Sequence, residues 1–296
     1  MGKPVLSVIG ETKPELGSGK VKAFANWQLR RDDDGIAWAI LDAKGTGTNT
    51  LSEAVLTDLA KLLDAVEADL PNALVLRSAK PGGFVAGADI SEFREAKDES
   101  AVAERLRDGH AVIDRLEALD CPTIAVVHGY ALGGGFELAL ACDHRIAVDG
   151  AYFGFPEVRL GLHPGLGGTF RLSELIAPTE AMTMMLTGKA AHTKKAKNLG
   201  IVETVTEERH IRAAVKAVSG KGEQDSKRGL KAALFDIGPA RKLAASRMRS
   251  QTEEKAPRAH YPAPHALIDI WEEHGGDRRS MQKAEIRSFA HLLKTD

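Results

Sequence analysis

What most constrains this chain is a repeated order of segments: a short apolar run, a glycine-rich loop, then a stretch whose apolar residues recur at helical spacing. ALVLRS at 73–78 leads into the loop Pro81 to Gly87 and then into helical periodicity from Val102 to Leu119. TIAVV at 123–127 leads into HGYALGGG and a helix expected to begin near Gly133. A third glycine cluster, in AYFGFPEVRLGLHPGLGGTFRL, runs into helical spacing over 172–186. The 29 glycines are about a tenth of the chain, above the usual ~7%, and they gather in these three places. Strand and helix alternate from Asn26 to about Val218, which predicts an α/β fold whose strands feed loops that open onto helix N-termini.

The remaining elements follow from turn chemistry and periodicity. WQLRR and GIAWAILD read as strands joined by a turn at Asp32-Asp33-Asp34-Gly35. Leu51, Val55, Leu56, Leu59, Leu62, Leu63 and Val66 recur at helical spacing, with Asn49, Thr50 or Ser52 as the N-cap. HRIAV at 144–148 reads as another strand. Residues 1–25 lack a strong period, apart from a short strand candidate at Val5 to Ile9, and read as an N-terminal appendage. The core is then 26–220, and 221–296 a helical tail that opens on the polar stretch GKGEQDSKRG. Helices are expected at 239–252, 264–274 and 278–293, with HYPAPH as a break, because a proline disfavours helix in the residue before it.

Bulk properties exclude several function classes. A formal charge of −1 on 296 residues argues against a nucleic-acid binder, which needs a strongly basic surface. Two cysteines without a CxxC give neither a disulfide framework nor a structural zinc site, and point to a reducing compartment, the cytoplasm. No apolar run approaches the ~18 residues of a membrane span. GLGGTF lacks the last glycine of a dinucleotide fingerprint, and GSGKV has Val where a P-loop needs Ser or Thr. Neither GxSxG nor HExxH occurs.

Two glutamates stand out. Glu137 falls in the first turn of an apolar helix, ELALA, where it serves either as a dipole-friendly capping residue or as a carboxylate in an apolar pocket. Glu157 follows a proline in a turn and reads as a solvated loop residue or as a partner for Glu137; their separation of 20 positions suffices for the chain to fold back. The glycine loops bare backbone N–H groups after strands, and two such loops can supply two donors to one oxyanion.

Together GGFVAGAD, HGYALGGGFEL and PEVRLGLHPGLGG resemble, in order and spacing, the hallmarks of the enoyl-CoA hydratase/isomerase (crotonase) family. The resemblance covers roughly residues 26–220 and is strongest to the N-terminal hydratase part of multifunctional fatty-acid oxidation α-subunits. KRGLKA, HYPAP and AEIRSFAHLL in the tail look like the connecting region of such proteins, whereas no fingerprint of their dehydrogenase domain is present. The resemblance implies a crotonase-like spiral of ββα units with a C-terminal helical region. It implies catalytic roles for Glu137 and Glu157, and an oxyanion hole made by the N–H groups of Ala88 and Gly134. Gly83, Phe84, Val85, Ala86, Gly87, Asp89 and Gly133 would bind the CoA ester, with Asp89 fixing its loop. His128, Phe136 and His163 are expected to pack or line the pocket, and Cys142 to be a small core residue.

The implied reaction adds water to trans-2-enoyl-CoA to give 3-hydroxyacyl-CoA in fatty-acid β-oxidation, with Δ3-Δ2 isomerisation as a further activity. No metal is implied, and no cofactor beyond the coenzyme A carried by the acyl-CoA substrate. The implied partners are copies of the chain in a trimer and, for the multifunctional members, a thiolase subunit. The rival reading is a non-catalytic acyl-CoA-binding subunit. Fold alone does not choose, because thioester hydrolases and dehalogenases share it.

Overall fold

The computed structural model describes residues 14–220, 235 and 238–295. The strand candidate at Val5 to Ile9 and nearly all of GKGEQDSKRG lie outside them. Seven strands form the main sheet in the order β1-β2-β3-β4-β5-β7-β10. They are β1 (Lys20–Ala23), β2 (Trp27–Arg31), β3 (Ile36–Leu41), β4 (Ala73–Ser78), β5 (Thr123–Val127), β7 (His144–Val148) and β10 (Thr204–Thr206). The first two pairings are antiparallel, and those from β3 to β10 are parallel. The expected turn between β2 and β3 forms because Asp32 accepts from the N–H groups of Asp34 and Ile36, while Gly35 adopts φ +74°. β1 lies in the stretch read as an appendage. Its four residues, KVKA, are all exposed, so no apolar alternation marks them.

β3, β4 and β5 are buried along their whole length, since both sheet faces are covered. Ile36, Trp38, Ile40, Val75, Ile124 and Val126 pack under Ile211, Val215 and Val218. Ala37, Ala39, Leu41, Leu74, Leu76, Ala125 and Val127 face the larger core. That core also takes in α1 (Glu53–Ala68), α3 (Glu99–Glu117) and α4 (Gly134–Leu140); the short α2 (Ile90–Arg94) lies between α1 and α3 in sequence. Of the three N-cap candidates for α1, Ser52 caps it, by accepting from Val55. A second, three-stranded sheet, β6 (Tyr130–Leu132), β8 (Tyr152–Gly154) and β9 (Ala191–His192), lies between the glycine loops.

The single helix expected over 172–186 is two, α5 (Gly168–Leu175) and α6 (Pro178–Thr187). Pro178 excludes helical geometry from Ala177, which sits at ψ 126°, and then serves as the first residue of α6. α7 (Thr193–Leu199) and α8 (Ile211–Ser219) complete the core, α8 supplying the three residues over the second sheet face. The tail holds α9 (Gly238–Lys255), α10 (Pro262–His274) and α11 (Arg278–Lys294). HYPAPH does separate α9 from α10, but Pro262 opens α10 instead of lying in a loop. The tail is not detached: Met281, Ile286, Phe289, Ala290 and Leu292 of α11 belong to the main core.

Candidate active site

Gly133 turns the chain from β6 into α4 with φ +50° and ψ −127°, a conformation open to glycine. Every residue of α4 is buried, so Glu137 in its first turn has no route to bulk water along the helix. Its Oε1 accepts from the N–H groups of Leu166 and Gly168, both at 2.7 Å. The third glycine cluster therefore holds Glu137, a role its spacing did not disclose. Burial, then the charge of Glu285, push the Glu137 carboxyl up to about 7, against the opposing pull of the two N–H groups and His110.

Glu157 opens a short 3₁₀ turn, Glu157–Leu160, closed by Gly161 in the left-handed region. It is buried, not a solvated loop residue. Its Oε1 lies 2.6 Å from where a Cβ on Gly133 would stand, and its Oε2 is buried without a hydrogen-bond partner. Burial first and the charge of Glu137 second hold its carboxyl well above the ordinary carboxylate range.

Two backbone donors stand beside the pair. Leu51 and Ala88 form a parallel bridge through Gly87 C=O and Asp89 N–H, so the N–H of Ala88 itself points away from Leu51. Gly134 is the first residue of α4, where N–H groups have no partner within the helix. A Cβ on Gly134 would lie 3.0 Å from the Ala88 nitrogen, so the two backbone segments are in close contact. The spacing is set by contact: a Cβ on Gly135 would stand 2.4 Å from Val85 O, so only glycine lets the two loops meet there.

A single cavity joins these groups. Ala86, Gly87, Ala88, Gly133, Gly134, Glu137 and Glu157 line it with Ile90, Leu106, Leu166 and Phe289. Gly83, Phe84 and Val85 are not on its wall. Phe84 and Val85 are core residues, and a Cβ on Gly83 would meet Tyr130 N at 2.7 Å. Asp89 caps α2 by accepting from Ser91. Asn49, an N-cap candidate in the sequence, instead ties the loop down from below, donating to Leu41 O, Ser78 Oγ and Phe84 O and accepting from Ala43 N.

The other expected residues are buried but do not line the cavity. His128 Nε2 lies 2.7 Å from Lys80 O and His163 pairs with Pro164 O and Ser288 Oγ; burial pushes both imidazoles down. Phe136 packs at a tilt against the rings of Phe153 and Phe155. Cys142 is a core residue whose thiol burial pushes up to about 12. Two residues that sequence reasoning missed come from the tail: Phe289 on the cavity wall, and Glu285, fully buried, which accepts from Gly167 N at 2.8 Å. Four-residue spacing between them puts both on one face of α11, a signal present in AEIRSF but without an indication of what that face meets.

Chemically, the arrangement offers two carboxyl groups that both retain protons toward neutral pH, on the wall of an apolar cavity that Ala88 and Gly134 also line. Comparison with known proteins is consistent with this. The chain is 38% identical over 277 residues to the fatty acid oxidation complex subunit alpha of Shewanella baltica strain OS185, covering 90% of this chain and 39% of that one. The namesake from Aliivibrio fischeri is 36% identical over 275 residues. The chain thus spans about 39% of the length of the curated relatives it matches. Among solved structures, an enoyl-CoA hydratase from Bacillus anthracis superposes with a TM-score of 0.61 at 27% identity, over 86% of this chain and 93% of that one. One from Rhodobacter sphaeroides 2.4.1 superposes at 0.70 over 91% and 86%; at 21% identity it speaks for the fold alone. The sequence profile of the family described as enoyl-CoA hydratase/isomerase matches residues 34–234, and with that match, this fold and these loops, the chain belongs to the enoyl-CoA hydratase/isomerase family.

Proposed function

We propose that this chain hydrates the double bond of a trans-2-enoyl-CoA thioester to give a 3-hydroxyacyl-CoA, the second step of a fatty-acid β-oxidation cycle. The observation that carries the reading is the meeting of Glu137 and Glu157 in one apolar cavity that Ala88 and Gly134 also line. The thioester oxygen would accept from the N–H groups of Ala88 and Gly134. As negative charge builds on it, each preorganised donor contributes about 3 to 4 kcal/mol.

The two carboxyls divide the proton transfers. Glu137, with its pKa near 7, takes a proton from water as the water oxygen bonds to Cβ. Glu157, whose carboxyl burial holds well above its ordinary range, gives its proton to Cα as the enolate collapses. Water supplies both the hydroxyl and the net proton, so no redox partner or cofactor is needed beyond the coenzyme A of the substrate. The test is the loss of conjugated thioester absorbance with a short-chain enoyl-CoA: absence of turnover with any chain length, together with tight binding of the ester, would favour a non-catalytic binding subunit.

Δ3-Δ2 isomerisation has one observation in its favour. Glu157 Oε2 has no hydrogen-bond partner among the described residues, and in this reading carries a proton between Cα and Cγ. Solvent deuterium appearing at Cγ would establish it. We further propose a homotrimer and, separately, a thiolase subunit as a partner; the relatives' name as subunits of a fatty acid oxidation complex supports a partner subunit and does not bear on the trimer.

A further inference from the structure

We propose that Glu285 of the tail helix α11 is the positioning residue for Glu137: it grips alternate groups of the same loop that holds the Glu137 carboxylate, and so sets where that carboxylate points. The inference rests on the hydratase reading above. Leu166 and Gly168 donate to Glu137, while Gly167 donates to Glu285 at 2.8 Å and Thr169 at 3.3 Å. The Thr169 hydroxyl also donates to Glu285. Four consecutive N–H groups are thus shared in alternation by two buried carboxyls, and the left-handed Gly167, at φ +101°, is the turn between them.

His110 approaches Glu285 from its other side: its Nε2, on α3, lies 3.2 Å from Oε1 without making a hydrogen bond. His110 Nδ1 lies 3.0 Å from Gln282, which donates to Asp114. Neither glutamate touches the other through a shared donor, so Glu285 acts through the loop and through its charge. The titratable groups facing Glu137 are Glu157, Glu285 and His110.

Two variants separate geometry from charge: Glu285→Gln keeps length and removes charge, whereas Glu285→Asp keeps charge and shortens the reach to Gly167 and Thr169. Steady-state hydration of a four-carbon enoyl-CoA from pH 5 to 9 reads both. For Glu285→Gln we expect kcat to fall about 10-fold with KM within about twofold, and the acid limb of kcat to move to lower pH, because a charge that raised the Glu137 pKa is gone. For Glu285→Asp we expect a similar loss of kcat with the limb unmoved. An unchanged kcat in Glu285→Asp overturns the proposal, as does a Glu285→Gln protein whose losses follow its folded fraction with no shift of the limb. Should Glu285→Gln fail to fold, the Asp variant decides. Wild-type protein without hydration of any enoyl-CoA sinks the hydratase reading and this inference with it; wild-type turnover beside unaltered variants sinks this inference alone.

Discussion

Replacing Gly133 with alanine puts a methyl group where the Glu157 carboxylate now lies. The added Cβ would stand 2.6 Å from Oε1, 3.3 Å from Cδ and 3.6 Å from Gly87 Cα. An oxygen cannot approach carbon that closely, so the carboxylate must retreat by roughly 0.5 to 1 Å, and a misplacement of that size costs about 10²-fold in rate. The backbone, at φ +50° and ψ −127°, adds strain of about 1 to 3 kcal/mol for an L-residue. For a domain of this size each kcal/mol lowers Tm by about 2 °C. Gly45→Ala is the matched control. Its φ is +76°, yet nothing lies within 4 Å of the added carbon, so it carries backbone strain without displacing Glu157. We expect Gly133→Ala to lose about 100-fold in kcat with a small drop in Tm, and Gly45→Ala to lose Tm alone, measured by enoyl thioester absorbance and thermal melts. A Gly133→Ala enzyme within about twofold of wild type would refute the placement of Glu157 as a proton donor.

Further expectations follow from the same site. Glu137→Gln and Glu157→Gln should each lower kcat by about 10²- to 10⁴-fold while leaving KM within a few-fold, since an acid or base acts in the transition state; wild-type turnover in either removes that residue from the mechanism. Stability should depend on pH with a definite sign. Glu137 has its folded pKa raised from 4.5 to about 7, so its contribution is full below about 4.5 and is lost as pH rises through 7. Tm should therefore fall across that window, and an equal slope in Glu137→Gln would exclude this residue as its source. Phe289→Ala should cost about 3 to 5 kcal/mol in denaturant unfolding, because a 3% exposed ring that packs against Phe93 is lost; it should also raise KM, and an unchanged KM would argue against its place on the substrate cavity.

Much of this site is legible in the sequence because its parts are local. β5, the glycines after it and Glu137 are neighbours in the chain, and a strand–glycine–helix order leaves little freedom in how they fold. Glu157 is harder: Pro156-Glu157 reads as an exposed turn, and only packing against Gly133 buries it. Glu285 is illegible for a different reason. It is 118 residues from Gly167, and its helix carries enough Arg, Lys and Ser to pass for a surface helix. Phe84 and Val85 have their side chains in the core, so their expected place at the CoA ester concerns the backbone of that loop. The break at Pro178 was readable from the residue-before-proline rule, and the apolar spacing across it concealed it.

The reach of α11 into the cavity also gives the site a timetable. Elements that fold as they leave the ribosome can assemble β3, β4, β5 and α4 early, since their contacts close over tens of residues. The loop at 165–169 has no Glu285, and the cavity no Phe289 wall, until the residues that follow α10 have been synthesised and docked. Until then Glu137 would sit in an opened, hydrated pocket. Closing a contact across more than a hundred residues is slow relative to local structure. The nascent chain should therefore pass through a period in which most of its sheet is native and its chemistry is silent, with the last helix acting as the step that switches it on.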